Sequence, residues 1–449
     1  MDLKIFSTSN LNGEITAPPS KSYSHRAFTA AALAEGVSIL KNPLTTGDVG
    51  VTIDVLRELK VKILRESKNS YIVERNAESF TTIHKMIHCK NSGTTIRIYS
   101  ALALLIEGGI KFSGEFLKLE RPIVPLLKAL KRLGGEYKLK KNFLHVYRIQ
   151  KGCNNVQLPG NISSQFITAL LFLCPILRCS NLNILQIKTT NPIISYPYIQ
   201  ITLDVLKSFG VNVIEKIDEE RKGTYNIETT QHYRPQVYTI PGDFSSASFI
   251  IAATILAKED SLVIVNNLEK DNPQGDKKIV RILKDMGAKI KFNQEKKQII
   301  VNGNIKKYPL QGIEVDCSDI PDLFPILSVL GAFAKGKMVL HNAGNLRRKE
   351  CDRISIMARE LKKMGVKVEE GEDKLIIHHT EEFTEDPEID HENDHRIAMA
   401  CTVASLYSNS ETTIKNIEIV KDSYPEFIED LIRLGANIEK ANKGLFYTI

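Results

Sequence analysis

The 449-residue chain has no uninterrupted apolar run of the ~18 residues that a membrane helix requires. Its best candidate, residues 323–334, is broken by Pro325 and Gly331. The first ten residues lack a basic stretch followed by an apolar core, so no secretory signal is expected. No Cys-x-x-Cys pair occurs among the scattered Cys89, Cys153, Cys174, Cys179, Cys317, Cys351 and Cys401. Reduced thiols in a cytoplasmic protein are therefore expected, not a disulfide scaffold or a cysteine zinc site. There is no block of five like charges, and 60 Lys and Arg against 53 Asp and Glu leave only +7. That pattern argues against a polybasic arm for nucleic acid or a membrane surface. A small positive excess gathered in one cleft instead suits a small anionic substrate.

What is present is an ordinary globular composition, long enough for two or three domains. One helix-end pattern recurs: a Leu, two mostly polar residues, an apolar residue, then Gly. The glycines are Gly134, Gly210, Gly287, Gly365 and Gly435, with Lys60 in the first copy, and the six positions stand 70 to 78 residues apart. Six units of about 75 residues read as an internal repeat. Gly after the last apolar helix position is a left-handed cap, with Lys and Arg nearby favourable to the helix dipole. Lys60 implies that the first cap is made differently. After each cap the residues alternate, as in Val366-Lys-Val368, and a polar turn leads to a second apolar strand such as Leu375-Ile-Ile377. Each unit is thus an amphipathic helix feeding a β-hairpin.

Six other helices are apolar nearly all round and open on small polar or charged clusters: Ser20-Lys-Ser22, Asn91-Ser-Gly-Thr94, residues 160–165, Gly242-Asp-Phe-Ser-Ser246, Asp319-Ile-Pro-Asp322 and Asp394-His-Arg396. All-round apolarity predicts burial on most faces. Free N–H groups and about half a positive charge make each N-terminus an anion site. Ordinary N-capping accounts for any one cluster. Six in two groups of three suggest N-termini converging on one cleft to hold a highly anionic substrate pair.

Two motifs compete. Residues 331–337 nearly match a phosphate loop but lack its final hydroxyl and end a helix rather than follow a strand. His391-Glu-Asn-Asp-His395 matches the zinc-hydrolase HExxH signature, which needs both His on one continuous helix. Asn393-Asp394 reads as an N-cap, so the helix should begin after His391. Zinc hydrolysis through His391 and His395 remains the alternative from another class.

Taken in order, the segments Pro19-Ser-Lys-Ser-Tyr-Ser-His-Arg26, Asn91-Ser-Gly-Thr-Thr-Ile-Arg97, Glu120-Arg-Pro122, Ser163-Ser-Gln165, Gly242-Asp-Phe-Ser-Ser-Ala-Ser248, Ile320-Pro-Asp322, Asn345-Leu-Arg-Arg-Lys-Glu-Cys-Asp-Arg353 and Asp394-His-Arg-Ile-Ala-Met399 resemble the enolpyruvyl transferase family, in its shikimate 3-phosphate branch. The resemblance runs from near residue 19 to near residue 427. It implies an α/β (α+β) fold of two domains, each with three βαβαββ repeats about a pseudo-threefold axis, and an active-site cleft between them. One domain would comprise residues 1–20 plus 242–449 and the other residues 21–241, a crossover that the residues themselves do not reveal. The implied reaction moves the enolpyruvyl group of phosphoenolpyruvate to the 5-hydroxyl of shikimate 3-phosphate, in chorismate and aromatic amino acid biosynthesis. It needs no metal or organic cofactor, and a cytoplasmic monomer without nucleic-acid or membrane partners is expected. The UDP-N-acetylglucosamine branch is disfavoured by the Ser-Lys-Ser-Tyr-Ser-His-Arg26 and Ser163-Ser-Gln165 segments.

Residue roles follow from the resemblance. Asp322 matches the base for the hydroxyl and Glu350 the acid at C3 of phosphoenolpyruvate, with Lys349 a phosphate ligand and shuttle. Lys21, Arg121, Arg353 and Arg396 match cations for phosphoenolpyruvate, joined by Gly93, Gln165 and Lys421. Lys21, Ser22, Arg26, Ser163, Ser164, Gln165, Ser195, Tyr198, Asp322, Asn345 and Lys349 match the shikimate 3-phosphate site. Taken singly, Asp322 would read as a first-turn helix acid, and Glu350, Asp352 and Arg353 as a solvated helical face. Two positions depart from the family pattern. Lys90 replaces a Gly, either crowding the pocket or facing outwards. Lys421 precedes Asp422, which occupies the usual Lys position, and on a strand that shift would point Lys421 to the other face.

Overall fold

The computed structural model describes residues 1–441 apart from 77, 82–84, 382 and 384–387. The chain divides into two compact units, one of Met1–Pro18, Gly242–Asn272 and Asp276–Ile449, the other of Pro19–Pro241 with Pro273–Gly275. Each has its own continuous apolar core. Among the described residues no helix is long and apolar enough to cross a membrane.

Six four-stranded sheets share one plan. In one, Glu314–Asp316 pairs parallel with Lys337–His341, which pairs antiparallel with Leu375–His378, itself the hairpin partner of Val368–Glu370. A buried helix links the first two strands, and an amphipathic helix leads into the hairpin. The repeat read from the helix ends is therefore a βαβαββ unit, three to each compact unit. Three sheets are completed from distant sequence. Asn12–Thr16 lies parallel beside Ser261–Asn266, Asp2–Ile5 fills the place between Thr412–Ile414 and Ile438–Ala441, and Val237–Thr239 begins the sheet of Gly36–Lys41.

The connecting helices are buried because small residues let them pack closely. Every residue of Phe244–Leu256 and of His395–Ser405 is buried, and these two pack against Phe324–Phe333 at the centre of their unit. In the other unit Gly93–Leu102 packs on Ser164–Leu173, while Lys21–Leu33 packs on Tyr196–Ser208 and Gly47–Glu58.

All five cap glycines are left-handed, with φ between +81° and +109°. The first cap corrects the expectation drawn from Lys60. Lys60 adopts the same conformation at φ +61°. Its N–H donates to Arg57 O (2.9 Å) and that of Val61 to Leu56 O (3.0 Å), the same pair that Gly210 and Val211 make. The hydrogen bonds require left-handed backbone whatever the side chain, so the lysine bears the strain. That strain costs an L-residue ~1–2 kcal/mol, and the greater freedom of unfolded Gly returns ~0.4–1 kcal/mol. Lys60→Gly is expected to stabilise its unit by roughly 0.5–1 kcal/mol, raising Tm by about 2 °C. A calorimetric Tm at or below wild type would refute this.

A second correction concerns the thiols. Cys153 and Cys179, 26 residues apart, form a disulfide with Cα atoms 5.5 Å apart, while Cys89, Cys174, Cys317, Cys351 and Cys401 are free. Spacing along the chain carries no trace of this pairing; the fold brings the two loops together.

Candidate active site

In the unit of residues 19–241, three helices present the expected clusters at their N-termini. Ser20 caps Lys21–Leu33 by accepting from Tyr23 N. Ser92 caps Gly93–Leu102 by accepting from Thr95 N, and Ser163 caps Ser164–Leu173 by accepting from Gln165 N. Arg26 lies inside, 2% exposed. It donates to Thr202 Oγ1 (2.8 Å), Ser22 O (2.9 Å) and Tyr198 O (3.0 Å), and burial pushes its pKa down to about 10. It thereby ties Ser22 to Tyr198, at the start of the helix Tyr196–Ser208. Ser195, just before that helix, is buried and left-handed at φ +53°.

A second group surrounds Gly93. Gln165 accepts from Arg97 Nη1 (2.5 Å) and donates to Thr94 Oγ1 (3.0 Å). Arg121 donates to the backbone and side-chain oxygens of Asn91 at 2.7 and 2.9 Å. The Arg97 and Arg121 guanidiniums lie 4.9 and 5.2 Å from the Phe116 ring centre, each a cation–π contact. A Cβ on Gly93 would stand 2.9 Å from Arg97 Nη1 and 3.3 Å from Arg121 Nη2, so any larger residue must move the guanidiniums. Lys90 is exposed, with its backbone left-handed at φ +48°. A glycine would adopt that conformation without strain.

In the other unit the centre is Arg353, 1% exposed. It donates to Asp394 (2.7 Å), Asp322 (2.9 Å) and Glu350 (3.0 Å). Burial works against its charge, but the three carboxylates hold its pKa well above the usual value. Arg396 pairs with Asp322 at 2.8 Å and donates to Ser245 Oγ at 2.5 Å. Asp322 and Glu350 keep 15% and 20% of their side chains exposed, so both reach the surface of the unit from a buried cationic base. Asp394 also caps His395–Ser405, accepting from Arg396 N at 2.9 Å. Lys349 and Asn345 are half-buried beside this group in sequence, and Asn345 Oδ1 has no hydrogen-bond partner among the described residues. Lys421 is exposed and lies on the short 3-10 helix Ile417–Asp422, so strand parity does not govern its direction.

Asp276 is a member that the sequence reading missed. Burial first, then the Asp322 charge, pushes its carboxyl up to about 7, against the pull of Arg396. Nothing about a lone Asp in Gln274-Gly-Asp276 announces that environment. Because its folded value lies above the ordinary one near 4, its contribution to stability is full at and below pH 4. That contribution is lost as pH rises towards and through 7. Relative to Asp276→Asn, the wild type should therefore lose stability between pH 4 and 8, on the order of a few kcal/mol. A parallel pH dependence of the two in urea unfolding would refute this.

The zinc alternative fails on geometry. His395 opens its helix, whereas His391 precedes it across Glu392 and Asn393, both at positive φ. Both His391 nitrogens are engaged, Nε2 with Lys415 O (2.8 Å) and Nδ1 accepting from Asn393 N (3.2 Å). Among the described residues no group of three His, Cys, Asp or Glu is arranged to hold a metal ion.

Six sheets of one plan in two units, with an arginine–carboxylate cluster at the helix starts of one of them, agree with the enolpyruvyl transferase class. The enolpyruvyl transferase NikO from Streptomyces tendae superimposes with a TM-score of 0.75 over 98% of each chain at 16% identity. The EPSP synthase from Acinetobacter baumannii gives 0.76 over 98% of this chain and 100% of that one, at 24% identity. The family model for EPSP synthase (3-phosphoshikimate 1-carboxyvinyltransferase) matches residues 5–431. A 3-phosphoshikimate 1-carboxyvinyltransferase of Methanococcus vannielii is 42% identical, covering 96% of this chain and 98% of that relative. That of Methanocaldococcus jannaschii is 41% identical over the same shares. The chain belongs to the EPSP synthase family.

Proposed function

We infer that this enzyme transfers the enolpyruvyl group of phosphoenolpyruvate to the 5-hydroxyl of shikimate 3-phosphate and releases phosphate. The observation that carries the reading is the buried Arg353 holding Asp322 and Glu350 together at the surface, in a chain of this family. The hydroxyl oxygen bonds to C2 of the enol as C3 takes a proton. The tetrahedral intermediate then loses phosphate and a C3 proton, restoring the double bond.

Addition needs a base at the hydroxyl and an acid at C3. Asp322, fixed between Arg353 and Arg396, serves as the base. Glu350 delivers the proton to C3 and recovers one in the elimination, with Lys349 next to it in sequence as phosphate ligand and shuttle. Lys21, Arg121, Arg353, Arg396 and Lys421 neutralise the phosphoenolpyruvate anion, and the close backbone approach at Gly93 keeps Arg121 in place. Ser22, Ser163, Ser164, Gln165, Ser195, Tyr198 and Asn345 hold shikimate 3-phosphate, with Arg26 bracing Ser22 and Tyr198 from below. Guanidinium forks suit the two oxygens of each carboxylate or phosphate.

Inorganic phosphate release should require both substrates together and be absent with either alone. Release from phosphoenolpyruvate alone, or none from folded protein with both, would overturn the reading.

A further inference from the structure

The helices that carry Lys21, Gly93 and Ser164 at their starts end at a cavity of about 570 Å³ in the same unit. Leu33, at the end of the first helix, and Leu105 and Leu177, at the ends of the 3-10 turns that extend the other two, form part of its wall. A helix of 13 residues is ~20 Å long, so the cavity is remote from the candidate active-site groups of this unit.

Four cations line it, Arg75, Arg148, Lys151 and Arg178, against the single carboxylate of Glu35. Helix C-termini attract cations, and two of the four serve that purpose. Arg75 donates to Leu33 O (2.5 Å), and Arg148 to the carbonyls of Leu177 (2.9 Å), Gln150 (2.9 Å) and Lys151 (3.1 Å). These acceptors are neutral, and among the described residues none of the four cations is in an ion pair. Three helix ends contribute about −1.5 charges. With Glu35 counted, roughly +1.5 remains unbalanced. Burial pushes the Arg75 pKa down, and the nearby Arg178 charge adds to this against the pull of Glu35.

The cationic loops are braced. Lys151 stands two residues before Cys153 and Arg178 one before Cys179, and the disulfide joins them. Ser180 N also donates to Lys151 O at 3.1 Å. The rest of the wall is mixed: Ser79, Gln231 and His232 stand beside the leucines, Phe80 and the ring of Tyr233, whose hydroxyl is already spent on Phe172 O.

We propose that this cavity binds a small organic anion carrying two negative charges, a phosphate monoester or a dicarboxylate. Its anionic head is held by Arg75, Lys151 and Arg178, and its body lies against Phe80 and Tyr233. The site is separate from the enolpyruvyl transfer groups.

Phenyl phosphate, isophthalate and inorganic phosphate would be titrated calorimetrically into wild type, Lys21→Met and the double variant Lys151→Glu/Arg178→Glu. One organic-anion binding event should survive Lys21→Met and weaken about 100-fold in the double variant, which loses two charged hydrogen-bond donors. Phenyl phosphate and isophthalate distinguish the two head groups, and binding of at least one of them is required. Inorganic phosphate should bind more weakly than the organic anion that is bound, for want of a body. The double variant should keep wild-type phosphate release, since neither residue belongs to the transfer machinery. Soaked 4-bromophenyl phosphate should give anomalous density in the cavity of wild-type crystals if the phosphate head is the one bound. The proposal is overturned if neither organic anion binds wild type, if binding is lost in Lys21→Met yet intact in the double variant, or if inorganic phosphate binds as tightly.

Discussion

Arg353→Ala will cost its unit about 3–5 kcal/mol and abolish transfer. Three carboxylates converge on this one guanidinium, and Asp394 among them is fully buried. Removing the cation leaves a buried acidic cluster uncompensated, which is the expensive way to break an ion pair. Asp394 still caps its helix, so the damage falls on electrostatics more than on helix formation. Arg353→Lys restores the charge but offers a compact ammonium in place of a fork that reaches three acceptors. It should recover much of the stability and little of the activity. Urea unfolding and phosphate release measured on both variants decide the matter. An alanine variant as stable as wild type would show that the acids are held by something other than Arg353.

Glu350→Gln tests the acid alone. Its side-chain carbonyl can still accept from Arg353 Nη2, so the fold and the position of Asp322 should be kept. What is lost is the proton for C3, and general acid catalysis of this kind contributes about 10²–10⁴ in rate. Phosphate release with both substrates should fall by that factor while the unfolding midpoint stays within experimental error of wild type. A rate within threefold of wild type, from protein of unchanged stability, would remove Glu350 from the acid role and leave Lys349 as the group to test.

Much of this architecture was legible because it is local. Helix caps, alternation after each cap and all-round apolar helices are written in neighbouring residues, and they mark six repeats whose boundaries the sheets reproduce. The start of the helix at His395, which separates the two histidines of the HExxH match, was likewise visible in the Asn393-Asp394 cap. Lys60 was misread because the cap is required by two hydrogen bonds of the backbone, and glycine only makes it cheaper. Cys153 and Cys179 were misread because 26 residues of separation say nothing about a 5.5 Å approach.

The sequence by itself determined the repeat, the buried helices and the order of motifs that marks the family, since each depends on spacing within a few residues or on succession along the chain. Only the tertiary structure decided which strands complete the three sheets closed by residues 2–5, 12–16 and 237–239, because pairing depends on edges left open by distant segments. It alone placed Asp276 beside Asp322 and Arg396, and four cations around one cavity. Burial and through-space charge act across elements that are far apart in sequence, and no local pattern records them.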